Sequence, residues 1–363
     1  MDSFGLIVFN RHGVQFDKKN NKMTQFNDRF LKACRREETD RPPVWFMRQA
    51  GRYQKDYREI RKTHTLVDIC KIPELCAQVT LSPIQQFGFD AAIIFSDIMI
   101  PLEPMGIDFH YKEGVGPVIS NPLTSKRDVE NLKPLDFGKD LQYTGASLNI
   151  LKKELSVPCL GFVGAPFTLA SYMIEGGPSK SYIKLKNFMY GQTDAWHLLM
   201  DKLATNMADY LLYQVENGAM AVQIFDSWVG ILSQADFKEF IFPHMQKMVQ
   251  YIKSKTTVPV IIFGTNSSHL LLDMKATGAD VVGIDWKTDV AEAWKSMNYE
   301  VAVQGNLDPT LLFGDWSLIE KRATTLLDSI PNKPGYIFNL GHGILPKTPE
   351  ENVRQLVNLV QGR

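Results

Sequence analysis

AVQIFDS (221–227) and PVIIFGTN (259–266) are the two stretches on which the fold turns. Each is a near-continuous apolar run, closed by small or polar residues and followed by a segment with helical spacing. A strand exposed on one face alternates apolar and polar residues; an unbroken apolar run needs cover on both faces, as in a parallel sheet layered with helices. The signature recurs outward along the chain in PVWFMR (43–48), AAIIFSD (91–97), VPCLGFVGA (157–165), VVGIDW (281–286), VAVQGNL (301–307) and GYIFNLGH (335–342), eight runs in all. Between them, PELCAQVTLSPIQQFG (73–88) and the long stretch 182–218 carry helical spacing, and Gly88, Gly218 and Gly278 stand where helix C-termini are expected. Eight strand–helix units predict an α/β protein, a single (β/α)8 TIM-type barrel whose active site lies at the C-terminal ends of the strands. An open doubly wound sheet is the alternative, but no G-x-G-x-x-G follows the first run and no GxxxxGK[ST] occurs. IDFHYKEGVGPVIS (107–120) reads as a hairpin inserted in a loop.

The chain has 363 residues, 44% of them hydrophobic and 22% charged, enough apolar material for a large core and far from the composition of disorder or of a coiled coil. Forty basic residues balance forty acidic ones, which argues against a general nucleic-acid or anionic-membrane binder. Cys34, Cys70, Cys76 and Cys159 form no C-x-x-C pair and read as reduced, mostly buried thiols. No apolar run approaches the ~18 residues of a membrane span. MDSFGLIVFNRHG makes a poor secretory signal, and although Arg11, Lys18, Lys19 and Lys22 leave organelle targeting open, a cytoplasmic location is expected.

At a barrel mouth the polar residues that close each run are the ones to interrogate. RQAGRY (48–53) places Arg48 and Arg52 around Gly51, with Arg58 and Arg61 following; FSDI supplies Asp97; GAPFTLASYMIEGG (164–177) supplies Tyr172; FDSW supplies Asp226 and Ser227; NLGHGI supplies His342 between two glycines. Each has a plainer reading: Asp97 and Ser227 as caps or turn residues, Tyr172 as a core aromatic, the arginines as a solvated helix face. Their common position on one end of the barrel raises the functional reading. No H-E-x-x-H, no Cys/His cluster at zinc spacing and no G-x-S-x-G elbow is present, so no metal is indicated. Guanidinium groups suit carboxylates, and a lone carboxylate among them suits an N–H-bearing or cationic centre. The ligand this describes is a polycarboxylate with a donor-rich middle.

At these residues the sequence resembles the uroporphyrinogen decarboxylase family: PVWFMRQAGRY, FSDI, GAPFTLASYM, QIFDSWVG and NLGHGI match its motifs in order, from about residue 25 to the C-terminus. The resemblance implies a barrel domain over 25–363 preceded by a poorly ordered or loosely packed extension, 1–24. It also implies a cytosolic homodimer, no cofactor or metal, and removal of the four acetate carboxyls of uroporphyrinogen to give coproporphyrinogen. Carried over, Asp97 accepts hydrogen bonds from the pyrrole N–H groups and stabilises the protonated ring. Arg48 and Arg52 hold substrate carboxylates, with Gln49, Ala50 and Gly51 lining the loop. Arg61 takes an outer carboxylate, and Tyr172, Ser227 and His342 complete the contacts. Asp97, Arg48 and Tyr172 are the expected catalytic set. Arg48, Tyr172, His342 and bound water all stand as proton donors, an ordinary guanidinium with a pKa above ~12 being a reluctant one.

Two departures from the family pattern stand out: Gln54-Lys55 replaces a Leu-Pro pair, and Asp226 replaces a Glu. Two rival functions differ from this one in what they require. A cobalamin-dependent methyltransferase would need thiol-activating ligands near later strand ends, yet no cysteine follows Cys159. A non-catalytic tetrapyrrole-binding protein would keep the pocket without turnover.

Overall fold

A computed structural model gives the structure of the chain and describes residues 8–9, 14–16 and 23–363. Seven strands form one curled, wholly parallel sheet in chain order: β1 (Ala92–Ile93), β2 (Cys159–Gly164), β3 (Ala221–Asp226), β4 (Val260–Gly264), β5 (Val281–Gly283), β6 (Ala302–Leu307) and β7 (Tyr336–Leu340). Each falls inside one of the apolar runs. Alternate residues divide between two apolar layers. Leu160, Ala221, Ile261, Phe263, Val281, Ala302 and Ile337 face an inner cluster, whereas Val222, Ile224, Ile262, Val282, Val303 and Phe338 join the larger cluster under the helices. Both sets are apolar, which is why the runs look continuous.

The first run departs from the expectation. PVWFMR makes no strand; its Val44 contributes a single parallel bridge to Phe338 of β7. Pro42 and Pro43 have no N–H, so a ladder cannot be built on that side. What forms instead is a pair of bonds to Phe338 (its N–H to the Pro43 carbonyl, 2.9 Å; its carbonyl from the Trp45 N–H, 3.4 Å) and, on the other flank, the Asp90 N–H to the Val44 carbonyl at 2.8 Å. Helix Arg29–Cys34 packs Phe30, Leu31, Ala33 and Cys34 into the inner cluster beside β6 and β7. Trp45 reaches the same interior, where its indole N–H donates to Gln304 (2.8 Å) and Gln304 donates to Gln223 (3.2 Å).

The connections are helical, as the spacing predicts, and Gly88 caps helix Pro73–Phe87 at φ 73°, the left-handed region that glycine enters freely. Residues 107–120 contain the expected hairpin, Phe109–Lys112 against Gly116–Ile119. All four cysteines are buried free thiols. Among the described residues no helix is long and apolar enough to cross a membrane. The expectation for residues 1–24 lies largely outside the described residues; of that stretch, Val8–Phe9, Val14–Phe16 and Met23 with Thr24 take part in a small antiparallel sheet that also includes Gln25.

Candidate active site

The loop after the Val44 bridge is held by its own buried amide. Gln49 donates to the Ala91 carbonyl (3.0 Å) and accepts from the Phe46 N–H (3.2 Å), while the Tyr53 hydroxyl donates to the Gln49 carbonyl (2.7 Å). Gln49 is therefore a clamp on the backbone. Arg48 sits at φ 59°, an unusual conformation for a non-glycine residue that such surroundings can impose. Its stem lies over Gly343, where an added Cβ would meet the Arg48 Cδ at 2.5 Å. On the other side of His342, Gly341 packs against the backbone of Trp286. The glycines around His342 thus admit protein neighbours at close quarters. Ala50 and Gly51 are half-buried, and the Gly51 N–H donates to Gln54 (3.2 Å). Arg52 is exposed; Arg58 donates to its carbonyl (3.1 Å) and to that of Tyr53.

Beyond β1 the chain turns at Asp97, whose carboxylate accepts the Met99 N–H at 2.9 Å. The turn role and a functional role coexist, because the second carboxylate oxygen has no such partner. Asp97 is half-buried, and burial pushes its pKa up from the ordinary carboxylate value, opposed by the Met99 N–H, the Tyr111 hydroxyl and the Arg48 charge. Tyr172, on the helix Pro166–Glu175 that follows β2, meets Trp228 edge-on at 5.8 Å. Burial pushes its phenol up; Trp228 and Arg48 oppose, and Asp97 adds to the rise.

His342, in the turn after β7, packs edge-on against Trp286 at 6.0 Å. Burial, reinforced by the Arg48 charge, lowers its pKa to about 4, so the imidazole is neutral at neutral pH. Arg48 is the common member, acting on Asp97, Tyr172 and His342 together. Ser227 is half-buried in the turn after β3, its carbonyl accepting from Thr265. The neighbouring Asp226 is buried and accepts from Thr168 at 2.7 Å; burial raises its pKa to about 7. Burial pushes the Tyr57 phenol up, and Arg61, Arg52 and Asp97 all act on it, which links the three. Arg61 also donates to the His64 carbonyl at 2.7 Å.

Three aromatic residues of the mouth were not singled out from the sequence: Tyr111, Trp228 and Trp286. For Tyr111 a signal existed, since Phe109 and Tyr111 lie two apart on a strand and share a face of the hairpin. Among the described residues no group of three or more His, Cys, Asp and Glu side chains is arranged to hold a metal ion.

Comparison with known proteins adds the following. The family model described as uroporphyrinogen decarboxylase (URO-D) matches residues 25–363. A uroporphyrinogen decarboxylase of Chloroflexus aurantiacus is 51% identical over 338 residues, covering 92% of this chain and 95% of that protein. One from Thermus thermophilus is 49% identical over 339 residues, covering 93% and 99%. Among solved structures, a methyltransferase from Methanosarcina mazei superposes with a TM-score of 0.75 at 20% identity, covering 93% of this chain and 98% of that one. A B12-independent methionine synthase from Shewanella sp. W3-18-1 gives 0.54 at 9% identity, covering 83% and 88%. These two structures share the fold.

Proposed function

The chain belongs to the uroporphyrinogen decarboxylase family, and from that premise we propose that it is a carboxy-lyase converting uroporphyrinogen III to coproporphyrinogen III without a cofactor, each of four acetate side chains leaving as carbon dioxide. The observation that carries the reading is the Asp97 carboxylate, with one backbone N–H donor, in electrostatic interaction with Arg48 and Tyr172. A half-buried anion short of donors is complementary to a ring of pyrrole N–H groups. It is equally complementary to the positive charge that spreads through a pyrrole once its α-carbon is protonated. The protonated ring accepts the electron pair released when the acetate carboxyl departs, the part an organic cofactor plays in other decarboxylases. A carboxylate fixed beforehand beside that cation stabilises it with no reorganisation at the moment of reaction.

Arg48 and Arg52 clamp acetate or propionate carboxylates, the two-pronged contact for which guanidinium is suited. His342, neutral and beside Arg48, offers a hydrogen bond, and the Ser227 hydroxyl another. Arg61 reaches only an outer carboxylate, and only by releasing the His64 carbonyl. Gln49 acts by holding the Arg48 loop, and Ala50 and Gly51 line it. The same proposal takes residues 25–363 as one domain. In it the sheet closes to an eightfold barrel through Val44, whose bonds to Phe338 on one side and Asp90 on the other support it. It also takes the working form as a cytosolic homodimer, which light scattering on the purified protein tests.

Turnover decides the function. Purified protein with no added cofactor is given uroporphyrinogen under reducing, anaerobic conditions, and products are separated by carboxyl number. Seven-, six-, five- and four-carboxyl products are expected. Tight binding with no carbon dioxide released would identify a tetrapyrrole carrier instead. Methyl transfer that depends on added cobalamin would identify the methyltransferase alternative.

A further inference from the structure

The hairpin Phe109–Lys112/Gly116–Ile119 has so far only been an insertion. Its placement is specific. The Ile119 N–H donates to the carbonyl of Gly176, the residue that caps the helix carrying Tyr172, at 2.9 Å. Along its first strand, half-buried Phe109 and Tyr111 alternate with exposed His110 and Lys112, and the two rings meet edge-on at 5.8 Å. The result is a phenol delivered to the mouth from outside the barrel. The Tyr111 hydroxyl is buried and has no hydrogen-bond partner of regular geometry. Leaving a buried hydroxyl in that condition is costly, and such a group in a folded protein calls for an explanation. The neighbour it acts on is the Asp97 carboxylate, which is itself short of donors.

We propose that Tyr111 is a positioning residue for the decarboxylation: its hydroxyl donates to the Asp97 carboxylate and keeps that group anionic and aimed at the centre of the mouth until substrate N–H groups arrive. The inference rests on the role given to Asp97 above. Its chemistry is a hydrogen bond to the charged form, one of the three ways a protein shifts an acid. The charged and titratable groups facing Asp97 come from four other elements: Arg48 from its loop, Tyr57 from helix Lys55–Ile60, Cys70 from helix Leu66–Lys71, and Tyr172. Of these, only Arg48 carries a positive charge. Among the described residues Tyr111 is therefore the one neutral side chain in a position to favour the anion, alongside the backbone N–H of Met99. Burial pushes the Tyr111 phenol far up, and Asp97 pushes it further, so it stays a donor throughout the working pH range.

The test is the pH dependence of kcat/KM. Tyr111→Phe keeps the ring and removes the donor, so the acid limb attributed to Asp97 moves upward by about one pH unit. Replacement by 3-fluorotyrosine, a stronger donor of the same shape, moves that limb the other way and covers the case in which Tyr111→Phe does not fold. In an Asp97→Asn background Tyr111→Phe has no further effect on kcat. An acid limb that stays in place in both variants overturns the proposal, as does an equal loss in the Asp97→Asn background. Near-normal turnover by Asp97→Asn alone would sink the role of Asp97 itself, a different failure and separately visible.

Discussion

Asp90 and Asp97 lie seven residues apart on one run of chain, on either side of β1, and they live in opposite ways. The Asp90 carboxylate is fully buried and saturated. It accepts from Asn27 (2.8 Å), Arg29 (3.1 Å), two nitrogens of Arg41 (2.7 and 2.9 Å) and the Val44 N–H (2.8 Å). Asp97 has the Met99 N–H and little else of regular geometry. At the N-terminal end of the strand a buried charge is answered by two cations and a backbone donor, and the answer joins three segments of chain. At the C-terminal end a half-buried charge is left under-answered, and its raised pKa is the cost. A fold has no use for the second arrangement by itself. A ligand with several N–H donors does.

That contrast can be broken in order of effect. Asp90→Ala strands Arg29 and Arg41 and should lower stability by about 3–5 kcal/mol, a large part of the ~5–15 typical of a domain. Denaturant titration measures the loss, and kcat per folded molecule should stay near the parent value. Asp97→Asn should do the reverse: turnover falls by about 10²–10³, or ~2.7–4 kcal/mol of barrier, while the melting temperature does not drop, because burial already disfavours that charge. A stability loss at Asp97 or a catalytic loss at Asp90 would erase the distinction. Arg52→Ala tests the rim. Arg52 is exposed and its guanidinium has no partner among the described residues, so folding should be untouched. KM should rise about 10- to 100-fold with the loss of a charged hydrogen bond worth ~1.5–3 kcal/mol. An unchanged KM would remove Arg52 from the carboxylate clamp.

The sheet was legible because its strands are covered on both faces, a condition written into the sequence as unbroken apolar runs. Val44 shows where that reading runs out: Pro42 and Pro43 look apolar in a pattern but cannot donate to a ladder. Asp97, Ser227 and His342 can be picked out by position, since each closes a run and all the strands point the same way; Tyr172 lies further on, in the helix that follows its run. At Arg61 the turn at the end of helix Lys55–Ile60 brings the guanidinium onto the His64 carbonyl, a local contact that spacing alone does not announce. Gln49 was found as a loop residue, yet its side chain serves the Phe46 and Ala91 backbone. Tyr111 and Asp90 were missed for one reason. Each draws its meaning from segments distant in the chain, and alternation along a strand tells which residues share a face, never what that face meets.

Asp226 supplies a third carboxylate between the two extremes, and with it the finest test. It is buried like Asp90 but, like Asp97, under-answered, with Thr168 as its side-chain partner. Burial raises its pKa from 3.8 to about 7. Between about pH 4 and about pH 7 the folded protein therefore holds a proton that the unfolded chain has released. Stability then falls as pH rises through that window and levels off above it, at on the order of 1 kcal/mol per pH unit at most. His342 works against this: with its pKa lowered to about 4, it withdraws stability as pH falls from ~6.5 towards 4. The wild-type curve alone is thus a difference of two slopes. Asp226→Asn keeps an oxygen for the Thr168 hydroxyl and removes only the titration, so the variant-minus-parent difference in melting temperature isolates Asp226. That difference should be smallest at about pH 4, grow in favour of the variant up to about pH 7 and level off above it. A difference that is flat with pH would mean that Asp226 is ionised in the fold, and so answered as Asp90 is.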